Sequence, residues 1–220
     1  LYFNRLARTT LLPMSARPGT PGAPNSQARS NIGPTYTDLR HSPVVPGAYQ
    51  AVTVTCLLGD PDGVIGAHLW YAVDGGAFQR ATMQASGQGL FTGTLPGQRA
   101  GAVVQFYVAS SDGLGCQAYA PAEGPGSRAL FQVHDTKAAG GSSHRIRVLM
   151  TPEDVRTIHE EVNQLSNHRV GATVVYKDRD VYYDVQVRLK GSGYGRQDLR
   201  AGFNLRFCPD RLFQGVHDGL

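Results

Sequence analysis

Residues 184–217 read DVQVRLKGSGYGRQDLRAGFNLRFCPDRLFQGVH. The opening alternates: Val185, Val187 and Leu189 take one face of a strand, and Gln186, Arg188 and Lys190 the other. The polar face runs into Gly191, Ser192 and Gly193, where the backbone can approach a ligand closely. A second strand follows and ends in Phe207, and a short apolar step around Phe213 anchors it. Cations beside an amide-rich loop are what an anion needs, and phosphate is the commonest such anion.

Composition frames this stretch. The chain has 220 residues, 41% of them apolar, which is enough for a core in one or two domains. With 27 Gly and 13 Pro between strand-like runs, a β-rich, turn-dense protein is expected. No apolar run approaches the length of a membrane span. The net charge of +4 is uneven: +4 over residues 1–35, −3 over 36–135 and +3 over 136–220. The basic residues are not interleaved with stacking aromatics, so no nucleic-acid partner is expected. Cys56, Cys116 and Cys208 have neither metal spacing nor an even count. Cys56 reads as a small core residue, and a Cys56–Cys116 bridge as the minor alternative.

Upstream, residues 13–33 are linker-like in composition. Residues 36–135 read as a β-sandwich with strands at short, regular intervals. Val52, Val54, Cys56 and Leu58 alternate with polar neighbours; Asp60-Pro61-Asp62-Gly63 and Asp74-Gly75-Gly76 are turns. Asp60 and Asp62, with Asp74 as a further acid, are candidate calcium ligands, but they fall short of the six to eight oxygens calcium takes. Trp70 falls in phase with the outward residues, either packed against a neighbouring element or placed at a ligand. Residues 136–143 read as a flexible joint between two independently folded units. Thr151-Pro152-Glu153-Asp154 starts a helix whose apolar stripe is Val155, Ile158, Val162 and Leu165. Residues 171–176 and 181–189 are strands joined by the polar turn Lys177-Asp178-Arg179-Asp180.

The opening stretch resembles the CotH kinase family, the spore-coat-H type of atypical protein kinase. The resemblance rests on Arg188-Leu189-Lys190-Gly191-Ser192, then Phe203-Asn204-Leu205-Arg206-Phe207, then Leu212-Phe213-Gln214-Gly215-Val216. It reaches back to about His144. Residues 36–135 resemble the immunoglobulin-like or fibronectin-III-like modules of bacterial secreted proteins, through His41-Ser42-Pro43, Asp60–Val64, Tyr71–Gly76 and Phe106–Ala109. Gly19–Ser26 resembles the end of bacterial lamin-tail domains.

The resemblance implies a β-rich mixed fold: residues 1–35 as linker and remnant of an upstream domain, a sandwich over 36–135, and the start of a kinase-like α+β lobe over 144–220. It implies phosphoryl transfer to Ser or Thr of a protein, with ATP and Mg as cofactors. Arg188, Lys190, Gly191, Ser192, Gly193 and Arg200 would be the nucleotide-binding residues. Where the family commonly places a Lys pair, this chain has Arg200 and Ala201. The family's catalytic base and metal-binding acids are expected beyond residue 220, so this stretch alone is not expected to be active. The competing expectation is a non-catalytic surface or coat assembly protein. In either case the partner is a protein substrate or an envelope protein, and the location is extracellular or the cell envelope.

Overall fold

The alternation in the first half builds eight strands: Thr35–Ser42 (β1), Val52–Gly59 (β2), Val64–Val73 (β3), Gln79–Ala85 (β4), Leu90–Leu95 (β5), Val103–Asp112 (β6), Gln117–Ala120 (β7) and Ala129–Gln132 (β8). The computed structural model describes residues 31–135, 145–163, 165–191, 196 and 202–220. Gly33–Leu220 form one unit, with Leu1–Ile32 grouped apart. The linker and lamin-tail readings therefore lie almost wholly outside the described residues, and the proposed joint over 136–143 lies outside them entirely.

The hydrogen-bonded order is β1-β2-β5-β4-β3-β6-β7, with β8 also on β6. The ribbon turns its corner within β4. Gln79–Thr82 pair with β3, and Met83–Ala85 pair with β5. The two layers then close on one core. Val52, Val54, Cys56 and Leu58 from β2 meet Leu69 and Tyr71 from β3, Val104, Phe106 and Val108 from β6, and Phe131 from β8. Gly93 sits where the layers are tightest: a Cβ there would stand 3.0 Å from both Leu69 and Met83. The turn at Asp74-Gly75 has φ of 51° and 77°, and the Gly76 amide donates to Val73 O at 2.9 Å. Both central residues are left-handed, as a tight hairpin requires.

The second sheet is built from Ile146–Leu149 (β9), Val170–Tyr176 (β10), Asp180–Lys190 (β11) and Gly202–Arg206 (β12), in the order β12-β11-β10-β9. Its core joins Val170, Val174, Val185, Val187 and Leu189 to Phe207 and Phe213. Phe213 meets Tyr176, Tyr182 and Phe207 at 5.2–5.5 Å between ring centres, so it is the anchor the sequence indicated. Pro152–His159 (α1) begins as expected, with the Thr151 hydroxyl accepting the Asp154 amide at 3.2 Å. It ends early. Val162 and Leu165 are 70% and 64% exposed, and Ile158 is the one member of the expected stripe that is buried. An apolar stripe is held helical by what covers it. No element among the described residues covers these two side chains. Among the described residues the lobe is thus a sheet with one eight-residue α-helix, more β-rich than the kinase-like α+β lobe expected.

The two sheets touch, which the reading of a free joint did not include. The Thr173 hydroxyl accepts the Leu130 amide at 2.9 Å and donates to Arg128 O. Asp184, held at φ 53°, takes the Arg128 amide. The Arg128 guanidinium pairs with Asp154, itself 7% exposed. His41 Nδ1 stands 2.6 Å from the Tyr183 hydroxyl and its Nε2 3.1 Å from Val44 O. A carbonyl can only accept, so Nε2 carries the proton and Nδ1 accepts from Tyr183. Leu130, Leu149, Val175 and Val181 fill the space between.

Candidate functional site

β11 carries the candidate site on its outward face. Val185, Val187 and Leu189 are 0%, 0% and 2% exposed, so Gln186, Arg188 and Lys190 face away from the core, as their alternation predicts. Register then supplies neighbours. Gln186 lies opposite Arg206, Arg188 opposite Asn204, and Lys190 opposite Gly202. Arg169, just before β10, reaches across β11. Its guanidinium donates to Asn204 O at 3.1 Å, to Asn204 Oδ1 at 2.5 Å and to Gln186 O at 3.4 Å.

Four cations therefore share this face: Arg169, Arg188, Lys190 and Arg206. Among the described residues, none has a carboxylate within ion-pair distance. Burial, then Arg188 and then Arg206, push the Arg169 guanidinium below its ordinary value. Arginine stays charged regardless, so a partly desolvated cation stands beside two others on this face.

Gly191 leaves the strand at φ 112°, a conformation that favours glycine. Arg196, 8% exposed, donates to Gly191 O at 2.9 Å, Ser166 O at 3.0 Å and Asn167 Oδ1 at 3.4 Å. Arg188 also donates to Asn167 Oδ1, at 3.3 Å. Arg196 thus ties the start of the glycine loop to the segment ahead of β10. Of the residues assigned from sequence, Arg188, Lys190 and Gly191 come together here. Ser192, Gly193 and Arg200 lie outside the described residues. Arg169 and Arg206 were missed as site residues. Arg206 keeps two-residue phase with Asn204, but only the register of β12 against β11 reveals its neighbours.

The acids of the sandwich turns separate into two groups. Ligand atoms of Asp60, Asp62 and Asp112 lie within 4.8 Å of one another. Much of that capacity is already used: Asp112 Oδ1 accepts the Leu114 and Cys116 amides at 3.0 and 2.8 Å, and Asp60 Oδ1 the Asp62 amide at 2.8 Å. Asp74 stands apart, accepting from Arg99 at 2.8 Å and from the Val103 amide at 2.9 Å. Cys56 is buried in the sandwich core, and all three cysteines are free.

No family model matches the sequence, and no curated protein matches it. The similar solved structures include an uncharacterized protein from Listeria monocytogenes, in complex with α- and β-D-glucose, magnesium and calcium. It is 11% identical over 82% of this chain and 14% of that one, with a TM-score of 0.34. They also include the cycloalternan-forming enzyme from Listeria monocytogenes in complex with pentasaccharide substrate, 13% identical over 80% of this chain and 14% of that one, with a TM-score of 0.33. This chain thus spans about one seventh of the length of either protein.

Proposed function

We propose that the outward face of β11 and β12 binds phosphate, and that the chain is part of a CotH-like atypical protein kinase at the cell surface or envelope. In this reading the second sheet is a reduced kinase-like lobe, and the first half is an immunoglobulin-like spacer. The observation that carries the proposal is the cluster of four cations with no ion-paired acid among the described residues. Like charges held together destabilise the face until an anion neutralises them. ATP with Mg is the ligand the family resemblance implies. Arg188 and Lys190 would hold its phosphates beside Gly191, and Arg169 and Arg206 extend the same field. Mg would neutralise part of the phosphate charge, and a Ser or Thr of a protein would receive the phosphoryl group.

A second reading, a non-catalytic surface or coat assembly module, draws on two observations. Among the described residues the lobe carries a single eight-residue α-helix, and Arg200-Ala201 stand where the family has a Lys pair. Such a module would use the same face to dock a phosphorylated or acidic protein partner.

Titration with ATP and Mg, with inorganic phosphate as a second probe, tests the proposal. Each charge-assisted contact contributes about 1.5–3 kcal/mol, so Lys190→Ala and Arg188→Ala should each weaken binding about ten- to a hundredfold. Unchanged affinity in both variants would remove these residues from the site. Phosphate binding without nucleotide preference would favour the docking module.

A further inference from the structure

The outer face of the sandwich holds a groove that the phosphate reading does not use. Its rows follow from strand register. Arg80 on β4 lies opposite Trp70 on β3, and Trp70 lies opposite Tyr107 on β6. The next row runs His68, Ala109 and Tyr119, and the one after it Gly66, Ser111 and Gln117. The small residues Gly66 and Ala109 lie between larger ones and leave a depression of about 410 Å³. Trp70 and Tyr107 are parallel to within 5° at 6.2 Å, with Phe78 and Tyr119 edge-on to Tyr107 at 5.2 and 5.9 Å. Trp70, Phe78 and Tyr119 are half-buried, and Tyr107, 8% exposed, is buried between them.

Apart from the Tyr119 hydroxyl, which donates to Gln117 Oε1 at 3.4 Å, several polar groups here are unclaimed. Among the described residues, the Trp70 indole N–H, the Tyr107 hydroxyl, the His68 ring and the Arg80 guanidinium have no hydrogen-bond partner. No buried side-chain nitrogen or oxygen is left unpaired among the described residues, so the Trp70 and Tyr107 groups reach solvent. The groove's lining includes Arg80 and His68 but no Asp or Glu.

We propose that this groove binds an oligosaccharide bearing carboxylates, such as a run of uronic acid residues. A pyranose ring has an apolar face that fits an aromatic ring and a rim of hydroxyls that fits free donors and acceptors. The half-buried Trp70 ring, backed by the buried Tyr107, supplies the first, and His68, Ser111 and Gln117 the second. Arg80, in line with Trp70 and without an ion pair, supplies the counter-charge for a carboxylate. A dry protein interface fits less well, because the one exposed large aliphatic residue in the lining is Ile65.

The test is affinity electrophoresis of the full chain through gels holding polygalacturonate or, as the neutral arm, dextran. Retardation by polygalacturonate is expected, with little by dextran. Trp70→Ala and Arg80→Ala should each weaken it about tenfold or more, while Arg206→Ala, on the distant basic face, leaves it intact. Circular dichroism of Trp70→Ala confirms that loss is not unfolding, and Trp70→Phe should keep part of the binding. The proposal is overturned by no retardation, by retardation that Trp70→Ala leaves intact, or by retardation that Arg206→Ala abolishes. Equal retardation by dextran overturns the acidic specificity. Self-association that Trp70→Ala abolishes, without polysaccharide binding, overturns it in favour of a second copy of this chain.

Discussion

The interior of the sandwich and its junction with the second sheet are held by different means. Inside the sandwich, Leu69, Val52, Val54 and Leu95 are at most 1% exposed and meet other apolar groups. At the junction, a small apolar layer of Leu130, Leu149, Val175 and Val181 is joined by a histidine, a tyrosine hydroxyl, a threonine, two aspartates and an arginine. Apolar contact is non-directional and scales with area. Buried polar contact contributes little net stability when complete and costs several kcal/mol when one partner is lost. The sandwich should therefore tolerate conservative resizing, whereas the junction should tolerate few single changes and should respond to pH.

Three measurements would break or sharpen that contrast. The largest effect is expected inside the sandwich. Leu69→Ala removes a side chain that is 0% exposed and should cost about 2.7–5 kcal/mol in urea unfolding. A loss under about 1 kcal/mol would mean that the core collapses to fill the space.

Next is pH. Burial lowers His41 to about 4 from 6.5, with its bond to Val44 O opposing the shift. The unfolded chain binds this proton more readily, so acid favours unfolding. Stability from His41 is full above pH 6.5 and falls by roughly 3 kcal/mol as the pH drops to about 4. Asp184 works the other way. Burial raises its carboxyl, and the Arg128 amide offsets part of the shift. Its contribution is greatest below 3.8 and is lost as the pH rises through its folded value, so on acidification it offsets part of the His41 loss. The His41 part is the difference between wild type and His41→Phe: over unfolding curves from pH 7.5 to 4, wild type should lose roughly 3 kcal/mol relative to the variant.

The smallest of the three is Arg128→Ala. It leaves Asp154 without its partner and should cost about 2–3 kcal/mol, below the figure for a fully buried pair because the Arg128 side chain is 20% exposed. The double variant Arg128→Met with Asp154→Leu should recover most of that loss. If both variants lose the same amount, the junction depends on packing rather than on the charge pair, and the contrast with the sandwich fails.

The sequence was informative where the signal is local. Asp-Gly-Gly at 74–76 and Lys-Asp-Arg at 177–179 form the turns read from them, with Lys177 and Asp178 at φ 55° and 54°. The outward cations of β11 follow from two-residue alternation alone. β7 was missed because Gln117–Ala120 is four residues long and lacks a β-branched side chain. The helix was read too long because periodicity says where apolar side chains recur, not whether anything covers them. The junction was not legible. Arg128 and Asp184 lie 56 residues apart, His41 and Tyr183 lie 142 apart, and no local rule links them. Trp70 was read in the right phase, but its row with Arg80 and Tyr107 needs the register of three strands.

The switch of β4 between layers has a consequence for how the protein behaves in company. Two separate sheets would present four open edges, each a row of unpaired backbone groups that can recruit a strand from another molecule. One ribbon folded through β4 has two among the described residues. At one end β1 is broken by a bulge at Asp38, φ 58°, with Arg40 beside it. At the other, β7 and β8 share the flank of β6 as four-residue pieces. Gly33 lies so close to Gln117 that a Cβ there would stand 2.6 Å from its carbonyl carbon, so the approach to β1 runs against β7. A sandwich with short, charged and partly covered ends offers little template for cross-β aggregation, whatever its core contributes to stability.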